Sequence, residues 1–598
     1  MDRPKSNQNS SVAVPSTRKL FREVLSLLTF REKIRILALI LLNFFTMILE
    51  ILSVGLVLPV SAVVVSDTAR SSLPLVGDVF TGWSEQAILI SAMMVLLAAF
   101  VGKNAAMIFS TYIRSRVLLS LNARLTTSLF TKFLAQPYVF HLRNNSAELV
   151  QAIQNIPVIA SGSLLPALLM MADVLVAIGV IGLMVVVEPV GSLVTILLFG
   201  TVGMWLTMSA KSRLAYWGND ARVAKTGMMQ ALLQAFGGIK EIKILGRSSA
   251  FVKSHQQFLH AALRSQLHYS TFSTIPRSFF EVQAVLGLVV LVTLMAFQGR
   301  PSAEILPVLA LFAAGSFRIL PSITRIVDSV SQIRYASAIV DQLRSYLQLP
   351  ENRRDLVVNT FNGGFEGLKL ENAMFQYTAE SPFILGPVSL AVAKGEFIGL
   401  VGESGSGKST LVDLISGLID PSEGAIFVNG FPIAAVSKSW QSMLGYVPQT
   451  IFLTDDSIRN NVALGIPIEK IDENRVRASI EAAKLMDFCL SLPDGLDTPV
   501  GERGVRLSGG QRQRIGIARA LYHEPEVLLL DEATSSLDMD TEREVMTAVN
   551  ALKGRKTVII IAHRLSTVEN CDRLYRLASG KLVHTGTFLE VSQRMATE

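Results

Sequence analysis

The sequence has few cysteines and few charged residues for its length. Among 598 residues there are only two cysteines, Cys489 and Cys571, and both lie in the second half. This scarcity excludes a disulfide framework and a cysteine-rich metal site, and it fits a reducing cytosol. Only 17% of the residues are charged, whereas 50% are hydrophobic. Such a balance predicts a membrane protein with a substantial soluble part.

The N-terminal region lacks the charged-then-apolar order of a cleavable signal, so we expect the first membrane span to direct insertion. Residues 1–16 are polar and rich in Pro, Ser and Asn, which predicts a disordered tail. Residues 17–32 place most of their apolar side chains on one helical face with basic residues around them. This pattern predicts an elbow helix that lies on the membrane surface.

Six long apolar segments follow, each near or beyond the ~20 residues that a helix needs to cross a bilayer. Glu188 and Pro189 alone separate the third segment from the fourth. The pattern predicts a transmembrane domain of six spans over residues 17–345. The segments cover residues 34–65, 86–112, 158–186, 190–208, 272–297 and 303–330.

Lysines and arginines indicate the orientation of these spans, because they concentrate on the cytoplasmic side of membrane proteins. Eight lie in residues 1–35 and nine in residues 209–270, whereas the first and last opposing loops contain only Arg70 and Arg300. The N-terminus and everything after residue 335 are therefore predicted to be cytoplasmic. The net charge of +7 is explained by these clusters and by contact with anionic lipid, so no nucleic-acid partner is predicted.

A polar linker is predicted over residues 346–364, and a soluble domain over residues 365–598. Short apolar runs such as EFIGLVG and VLLLDE alternate there with helical patterns. This alternation is typical of an α/β domain with a largely parallel sheet.

The stretch GESGSGKST follows an apolar run and matches the phosphate-loop pattern G-x-x-x-x-G-K-[ST]. In such a loop, backbone N–H groups surround the phosphates, the lysine reaches the β and γ phosphates, and the serine hydroxyl binds Mg²⁺. The alternative, a chance Gly/Ser loop, lacks this strand-loop-helix context. The residues predicted to bind ATP are Gly402, Ser404, Gly405, Ser406, Gly407, Lys408, Ser409 and Thr410.

A second carboxylate motif, VLLLDE, ends a predicted buried strand with two acids. Asp531 is predicted to hold Mg²⁺. Glu532, the next residue, is well placed to polarise a water as a general base for hydrolysis. The alternative is a strand that ends in two solvated acids.

Between these motifs, LSGGQRQR at Leu507–Arg514 resembles the signature of ATP-binding cassette (ABC) proteins, and VGERGVRLSGG resembles the stretch before that signature in exporters. The resemblance implies a six-span exporter domain followed by a nucleotide-binding domain that uses ATP and Mg²⁺. It also implies ATP-site roles for further residues, among them Gln449 at the metal and in catalysis, His563 in catalysis, and Tyr377 on adenine. The remaining nucleotide-binding residues implied are Ser508, Gly509, Gly510, Gln511 and Asp538.

The chain has one cassette and no internal repeat. In the family, the signature completes the ATP site of the opposite cassette, so the resemblance implies a half-transporter that works as a homodimer. Residues 135–146 and 235–247 lie in the middle of two long intracellular stretches and resemble the short coupling helices of the family. The alternative for both is an ordinary cytosolic loop.

The first, fifth and sixth spans contain LEILSVGLVLPV, IPRSFFE and FRILPSITRI, which resemble bacterial flippases of lipid-linked oligosaccharides. This resemblance implies transport of a polyprenyl-diphosphate-linked oligosaccharide across the bacterial inner membrane. The alternatives are a general lipid or drug exporter, a peptide exporter and, from a different class, an ATP-gated channel or regulatory membrane protein. No cysteine precedes Cys489 that could serve a leader peptidase, which disfavours the peptide exporter.

Ionisable residues in the spans are costly, so each is expected to be paired or functional. Arg277, Arg318 and Arg325 are predicted to form a cationic cavity for a lipid diphosphate, at depths of about 20 to 30 Å from the outer ends of their spans. The alternative for Arg277 is an i,i+4 ion pair with Glu281. Glu50 and Asp173 are predicted to face the bundle or a wet cavity, and the alternative is that they only pair.

Overall fold

A computed structural model describes most of the chain and divides it into two compact units. The first unit comprises Met1–Ala135 and Asn144–Pro350, and the second comprises Gln136–Arg143 and Glu351–Glu598. The predicted N-terminal tail, the start of the elbow helix, most of the linker and His563 lie outside the described residues. The described residues are 24–55, 84–187, 189–299, 302–350, 363–377, 383–534, 537–562 and 564–597.

The first unit is helical throughout its described residues. Six of its described helices cover all or part of the predicted apolar segments, and we call them span helices one to six. They are Phe30–Gly55, Glu85–Leu134, Leu165–Val187, Pro189–Ser209, Ser248–Phe297 and Ser302–Leu347. The shorter helices and the connecting helix between spans are Ser146–Asn155, Pro157–Ile159, the π-helical turn Ala160–Leu164, Lys211–Gly237 and Ile239–Ile244.

By length and hydropathy, four helices in the described part of the chain are able to cross a membrane, so the count of six spans stays a prediction. Span helices carry apolar side chains on their outer surfaces, such as Ile108, Val186 and Val282, which are 72%, 83% and 70% exposed. A helix that is apolar all round is expected where the solvent is lipid. The four helices are Met93–Leu134, Ser146–Val186, Pro189–Ser209 and Ser248–Phe297.

Span helices two and five extend well beyond their predicted apolar segments. Each has 50 residues, which corresponds to about 75 Å at 1.5 Å per residue. The amphipathic stretch before the first predicted coupling segment and the one after the second are therefore continuous with span helices two and five. The predicted coupling segments themselves form the short helices Tyr138–Arg143 and Ile239–Ile244.

The second unit contains two sheets. The larger sheet has the order β10-β9-β3-β8-β7-β6, and its strands from β9 to β6 are parallel. The smaller sheet is antiparallel with the order β2-β1-β4-β5. The strands are β1 Gly367–Phe375, β2 Leu385–Ala393, β3 Phe397–Val401, β4 Glu423–Val428, β5 Phe431–Pro432, β6 Leu444–Val447, β7 Val527–Asp531, β8 Thr557–Ile561, β9 Arg573–Ala578 and β10 Lys581–Gly586.

Strands β3, β7 and β8 are buried along their whole length, as expected for a parallel sheet covered on both faces. Their carboxyl ends lie at one edge, where ligands bind in open α/β sheets.

Both cysteines of the second unit are free and buried. Burial raises the pKa of Cys489 to about 11 and that of Cys571 to about 12. The helices of this unit are Lys408–Ile415, Ile433–Met443, Ile458–Val462, Glu473–Ala482, Met486–Ser491, Gly509–Tyr522, Met539–Asn550 and Phe588–Thr597.

The predicted domain bounds stay predictions, and the structure gives the elements beside them. The sixth span helix ends at Leu347, so the first two residues of the predicted linker are helical. The first strand of the second unit begins at Gly367. The segment Gln136–Arg143 groups with the second unit although it lies between two helices of the first in sequence.

Candidate functional site

The loop after β3 has the backbone conformation that its glycines permit. Gly402, Gly405 and Gly407 all have positive φ angles, of 154°, 80° and 102°. A Cβ atom on Gly402 would lie 2.3 Å from the carbonyl oxygen of Leu577. The loop therefore requires glycine for both its turns and its close packing. It leads directly into the helix that begins at Lys408.

Lys408 is held inside this loop by backbone oxygens. Its ammonium group donates hydrogen bonds of 2.8 Å to the carbonyl oxygens of Gly402 and of Glu403. Burial lowers the pKa of Lys408, and the nearby charges of Glu532 and Asp531 oppose this shift. The acceptors of the ammonium group are neutral, so its positive charge stays available to an anion.

The rest of the loop fits a nucleotide phosphate. The side-chain oxygen of Ser406 is buried without a hydrogen-bond partner. Ser404 and Ser409 are exposed beside it. A loop of glycines and small hydroxyl residues at a helix N-terminus is suited to phosphate oxygens. The Tyr377 hydroxyl lies 3.2 Å from that of Thr410, and this places the predicted adenine-stacking residue at the first turn of the phosphate-loop helix.

The predicted metal and catalytic residues meet at the end of β7. Asp531 is its last residue and is buried. Glu532 follows with a positive φ of 48°, and its backbone N–H donates to the carbonyl of Ile561 on β8. The side-chain amide of Gln449 donates a 2.7 Å hydrogen bond to the Glu532 carboxylate. The structure thus joins Gln449 to Glu532, which are 83 positions apart in the sequence.

Two further residues lie beside Asp531, and the sequence analysis missed both. Asp413 is four residues after Ser409 on the phosphate-loop helix; burial, and then the charge of Asp531, raise its pKa to about 6. Tyr446 lies on β6, next to β7, and burial and the neighbouring Asp531 raise its pKa. The i+4 spacing from Ser409 was a signal for Asp413. Tyr446 could be found only from strand pairing.

The signature residues form a helix start. Ser508 caps the helix Gly509–Tyr522 by accepting a hydrogen bond from the N–H of Gln511, whose side chain accepts one from the Ser508 N–H. This reciprocal capping box fixes the serine at the helix N-terminus, and Ser508 remains exposed. Asp538 caps the helix Met539–Asn550 by accepting a hydrogen bond from the N–H of Thr541, and this bond lowers the pKa of Asp538.

Two of the arginines predicted to bind cargo, Arg277 and Arg325, form ion pairs. Arg277 forms the local ion pair with Glu281, at 2.9 Å between Nε and Oε1, and both side chains are exposed. Arg325 instead contacts Asp173 on span helix three, with bonds from Nε and from Nη2 to the carboxylate. Within one chain, Arg277 and Arg325 thus belong to two separate ion pairs, and the predicted cationic cavity of Arg277, Arg318 and Arg325 stays a prediction. The side chains of Glu50 and Arg318 lie outside the described part of the chain.

A cavity of about 260 Å³ lies between span helices one, two, three and six. Two lysine or arginine residues that the sequence analysis missed, Lys103 and Arg114, line it together with Arg325 and the buried Asp173. The buried Ser110 hydroxyl donates to the side chain of Asn43 in its wall. Three cations against one acid give the lining a formal charge of +2. The Lys103 charge inside an apolar segment was a signal that could have found this cavity.

Comparisons with known proteins cover both units. Residues 35–320 match the family described as ABC transporter transmembrane region, and residues 385–535 match the family described as ABC transporter. Relatives named ATP-dependent lipid A-core flippase include one from Methylobacillus flagellatus, 32% identical over 70% of this chain and 71% of the relative. Another, from Saccharophagus degradans, is 30% identical over 80% of each chain.

A solved structure has a similar fold. It is described as a bacterial Atm1-family ABC exporter with ATP bound, and it aligns with a TM-score of 0.76 over 94% of this chain and 96% of its own. The sequence identity is 22%, so this likeness concerns the fold. The fold class predicted from the sequence, an exporter membrane domain followed by a nucleotide-binding domain, is confirmed.

Proposed function

The chain belongs to the ABC transporter family, and from that premise we propose that it flips a lipid with an anionic headgroup across the bacterial inner membrane. Family membership makes it a multi-pass membrane protein that uses ATP and couples ATP hydrolysis to transport. The observation that supports an anionic cargo is the cationic cavity between the span helices. The N-terminus and the nucleotide-binding domain are cytoplasmic in this proposal, because lysines and arginines concentrate on that side.

In the proposed ATP site, Lys408 and the phosphate loop hold the phosphates. Ser409, Gln449 and Asp531 would hold Mg²⁺, which supplies charge neutralisation at the phosphates when bound. Glu532 is the general base that polarises the attacking water, and the hydrogen bond from Gln449 orients its carboxylate. His563 is proposed to take part in catalysis, and Tyr377 is proposed to stack on the adenine.

The proposed assembly is a homodimer in which each signature completes the partner's ATP site. The exposed N-terminus of the helix Gly509–Tyr522 supports this arrangement, because a helix N-terminus attracts phosphate. The short helix Ile239–Ile244 adds exposed apolar residues, since Ile239, Ile244 and Leu245 are 46%, 74% and 67% exposed. In this proposal they contact the cassette of the second copy.

The proposed coupling element is the segment Gln136–Arg143. The Arg143 guanidinium donates to the backbone carbonyl of Tyr377, and Val139 packs against the hydrophobic core beneath β1 and β2. Burial, followed by the nearby Asp413 and Tyr377, raises the pKa of Tyr138. A movement of nucleotide-site residues would therefore reach this segment through direct contacts.

The proposed cargo has a phosphate-bearing headgroup. Arginine guanidinium groups recognise phosphate through paired N–H donors, and a lysine adds a point charge. The neutral polar residues Asn43 and Ser110 suit the hydroxyls of a sugar. A polyprenyl-diphosphate-linked oligosaccharide combines phosphate, glycan and hydrocarbon tail, and it is the first candidate. Lipid A-core, the lipid named in the relatives, is the second candidate.

The test is lipid-dependent activity of the purified protein reconstituted in vesicles. ATPase stimulation and translocation would be measured with each candidate lipid and with a neutral glycolipid that lacks phosphate. We expect Lys103→Gln and Arg114→Gln to reduce translocation of the phosphate lipid while ATPase without cargo persists. Arg116→Gln is the matched control, because Arg116 is exposed on the same helix and does not line the cavity.

The two candidates separate by which lipid stimulates the enzyme. Stimulation by the diphosphate oligosaccharide favours the first candidate, and stimulation by lipid A-core favours the second. Full translocation by a Lys103→Gln, Arg114→Gln double variant would contradict the cationic-cavity proposal. Equal transport of the phosphate-free glycolipid would contradict it as well.

A further inference from the structure

A buried acid, Glu542, lies outside the motifs that the ATP site uses. It sits in the first turns of the helix Met539–Asn550 and is 9% exposed. One carboxylate oxygen accepts hydrogen bonds from the hydroxyls of Thr534, at 3.0 Å, and Thr567, at 3.1 Å. The other accepts a 2.6 Å bond from Arg564, which also makes it an ion pair. Glu542 is therefore a fully engaged carboxylate between three segments.

These partners come from the two segments that leave the candidate catalytic site. Thr534 lies two residues after Glu532. Arg564 lies three residues after Ile561, the last residue of β8, and Thr567 lies in the short 3-10 helix Leu565–Val568. A small cavity of about 70 Å³ behind the site is lined by Glu532, Thr534, Arg564 and Thr567, among others. The carboxylate of Glu542 thus ties together the two loops that follow β7 and β8.

The backbone conformation of Glu532 explains why the two loops need to be held together. Its φ of 48° lies in the left-handed region, which a residue with a side chain adopts only when its surroundings impose it. The N–H of Glu532 is anchored to Ile561. The chain two residues later is anchored through Thr534 to Glu542. One anchor is thus at the strained residue itself and the other is two residues later, and together they restrict where its carboxylate points.

We propose that Glu542 is a positioning residue for ATP hydrolysis, which sets the relative placement of the loop that carries Glu532 and the segment after β8 that carries Arg564 and Thr567. It acts through Thr534, Arg564 and Thr567 and does not touch the nucleotide. The inference rests on the proposed catalytic role of Glu532. A small misplacement of a catalytic group lowers the rate of the chemical step more than it lowers binding.

A purely structural role is the competing explanation, because an acid in the first turn of a helix also stabilises the helix dipole. The two explanations differ in what they change. A helix-stabilising acid affects the melting temperature and the yield of folded protein. A positioning acid lowers kcat of the folded protein and leaves the KM for ATP nearly unchanged.

The experiment uses the full-length reconstituted protein and steady-state ATPase over a range of ATP concentrations. Glu542→Gln removes the charge that holds Arg564, and Thr567→Val removes one hydroxyl at constant shape. We expect kcat to fall roughly 10- to 100-fold in Glu542→Gln, with a smaller fall in Thr567→Val. Thr567→Ser keeps the hydroxyl and should restore the rate. Glu544→Gln, an exposed acid on the same helix, should match the wild type.

Several results would overturn the proposal. Wild-type kcat in folded Glu542→Gln is one, and equal rates in Thr567→Val and Thr567→Ser is another. A rise in KM without a fall in kcat would indicate a role in ATP binding instead. If Glu542→Gln does not fold, the Thr567 pair decides. Wild-type turnover in Glu532→Gln would instead refute the assignment of Glu532 as general base. The two experiments therefore distinguish a failure of that assignment from a failure of the positioning role of Glu542.

Discussion

The two units hold their key cations in different ways. In the nucleotide-binding unit, Lys408 donates to the carbonyl oxygens of residues five and six positions earlier in the chain. In the membrane unit, Arg325 is held by the carboxylate of Asp173, which is 152 residues away. One cation has neutral partners from its own loop, and the other has a charged partner from another helix.

This difference affects what an incoming anion meets. A phosphate that approaches Lys408 finds an ammonium group whose hydrogen-bond acceptors are neutral carbonyls, although the charges of Glu532 and Asp531 are near. A phosphate that approaches Arg325 has to share the guanidinium with Asp173. The membrane cavity therefore depends on Lys103 and Arg114 for its excess positive charge. The first site is preorganised for its ligand, and the second is balanced by an internal counter-charge.

The largest expected effect comes from removing the proposed general base. Glu532→Gln should lower ATPase turnover by about 10²- to 10⁴-fold, because the amide cannot take a proton from water. ATP binding should survive, since the phosphate loop is unchanged. Lys408→Ala should instead weaken ATP binding. Turnover and ATP affinity measured on both variants would test this contrast, and normal turnover in Glu532→Gln would contradict the assignment.

An intermediate effect concerns the shared ATP sites. A chain with Ser508→Arg retains its phosphate loop, and a chain with Lys408→Ala retains its signature. Each is expected to be inactive alone, because every site in either homodimer lacks one half. Mixed in one preparation, the two should form heterodimers with one intact site and regain ATPase activity. A mixture no more active than its parents would count against the shared-site homodimer.

The smallest expected effect is a difference in unfolding free energy between two variants, each of which removes one partner of the Arg325–Asp173 ion pair. Arg325→Gln leaves the buried Asp173 carboxylate without its bidentate partner, whereas Asp173→Asn leaves a guanidinium that is 49% exposed. We expect Arg325→Gln to be the more destabilising, by on the order of 1–3 kcal/mol. Melting curves in detergent would measure this. Arg277→Gln is the control, because it breaks an exposed ion pair and should change the melting temperature little. Equal melting temperatures in Arg325→Gln and Asp173→Asn would contradict the expected difference.

Much of the nucleotide site could be predicted from sequence because its groups are local. The phosphate loop, its strand and its helix are contiguous, and the strand Val527–Asp531 ends at the predicted metal ligand. What could not be predicted are contacts set by strand order. Tyr446 meets Asp531 because β6 pairs with β7, and Glu542 meets Arg564 across 22 residues.

The membrane site was harder to predict because helix rotation and packing decide which side chains meet. The sequence predicted Arg325 and Asp173 as separate residues that face the bundle or a cavity, and it gave no sign that they form a pair. The structure shows Arg325 in contact with Asp173, 152 residues away on another helix. The i,i+4 pair of Arg277 with Glu281 could be predicted, since it needs only the geometry of one helix.

The two buried thiols also determine how motions of this protein can be followed. The thiolate is the form that reacts with maleimides. Burial raises the pKa of both native cysteines well above neutral pH, so both stay in the unreactive thiol form. The native chain can therefore serve as a background for spectroscopic labels without replacing Cys489 or Cys571. A single cysteine at the exposed Val252, on the intracellular part of span helix five, would carry one probe per copy. In a dimer, the distance between two such probes would report the separation of the intracellular helices as ATP binds and is hydrolysed.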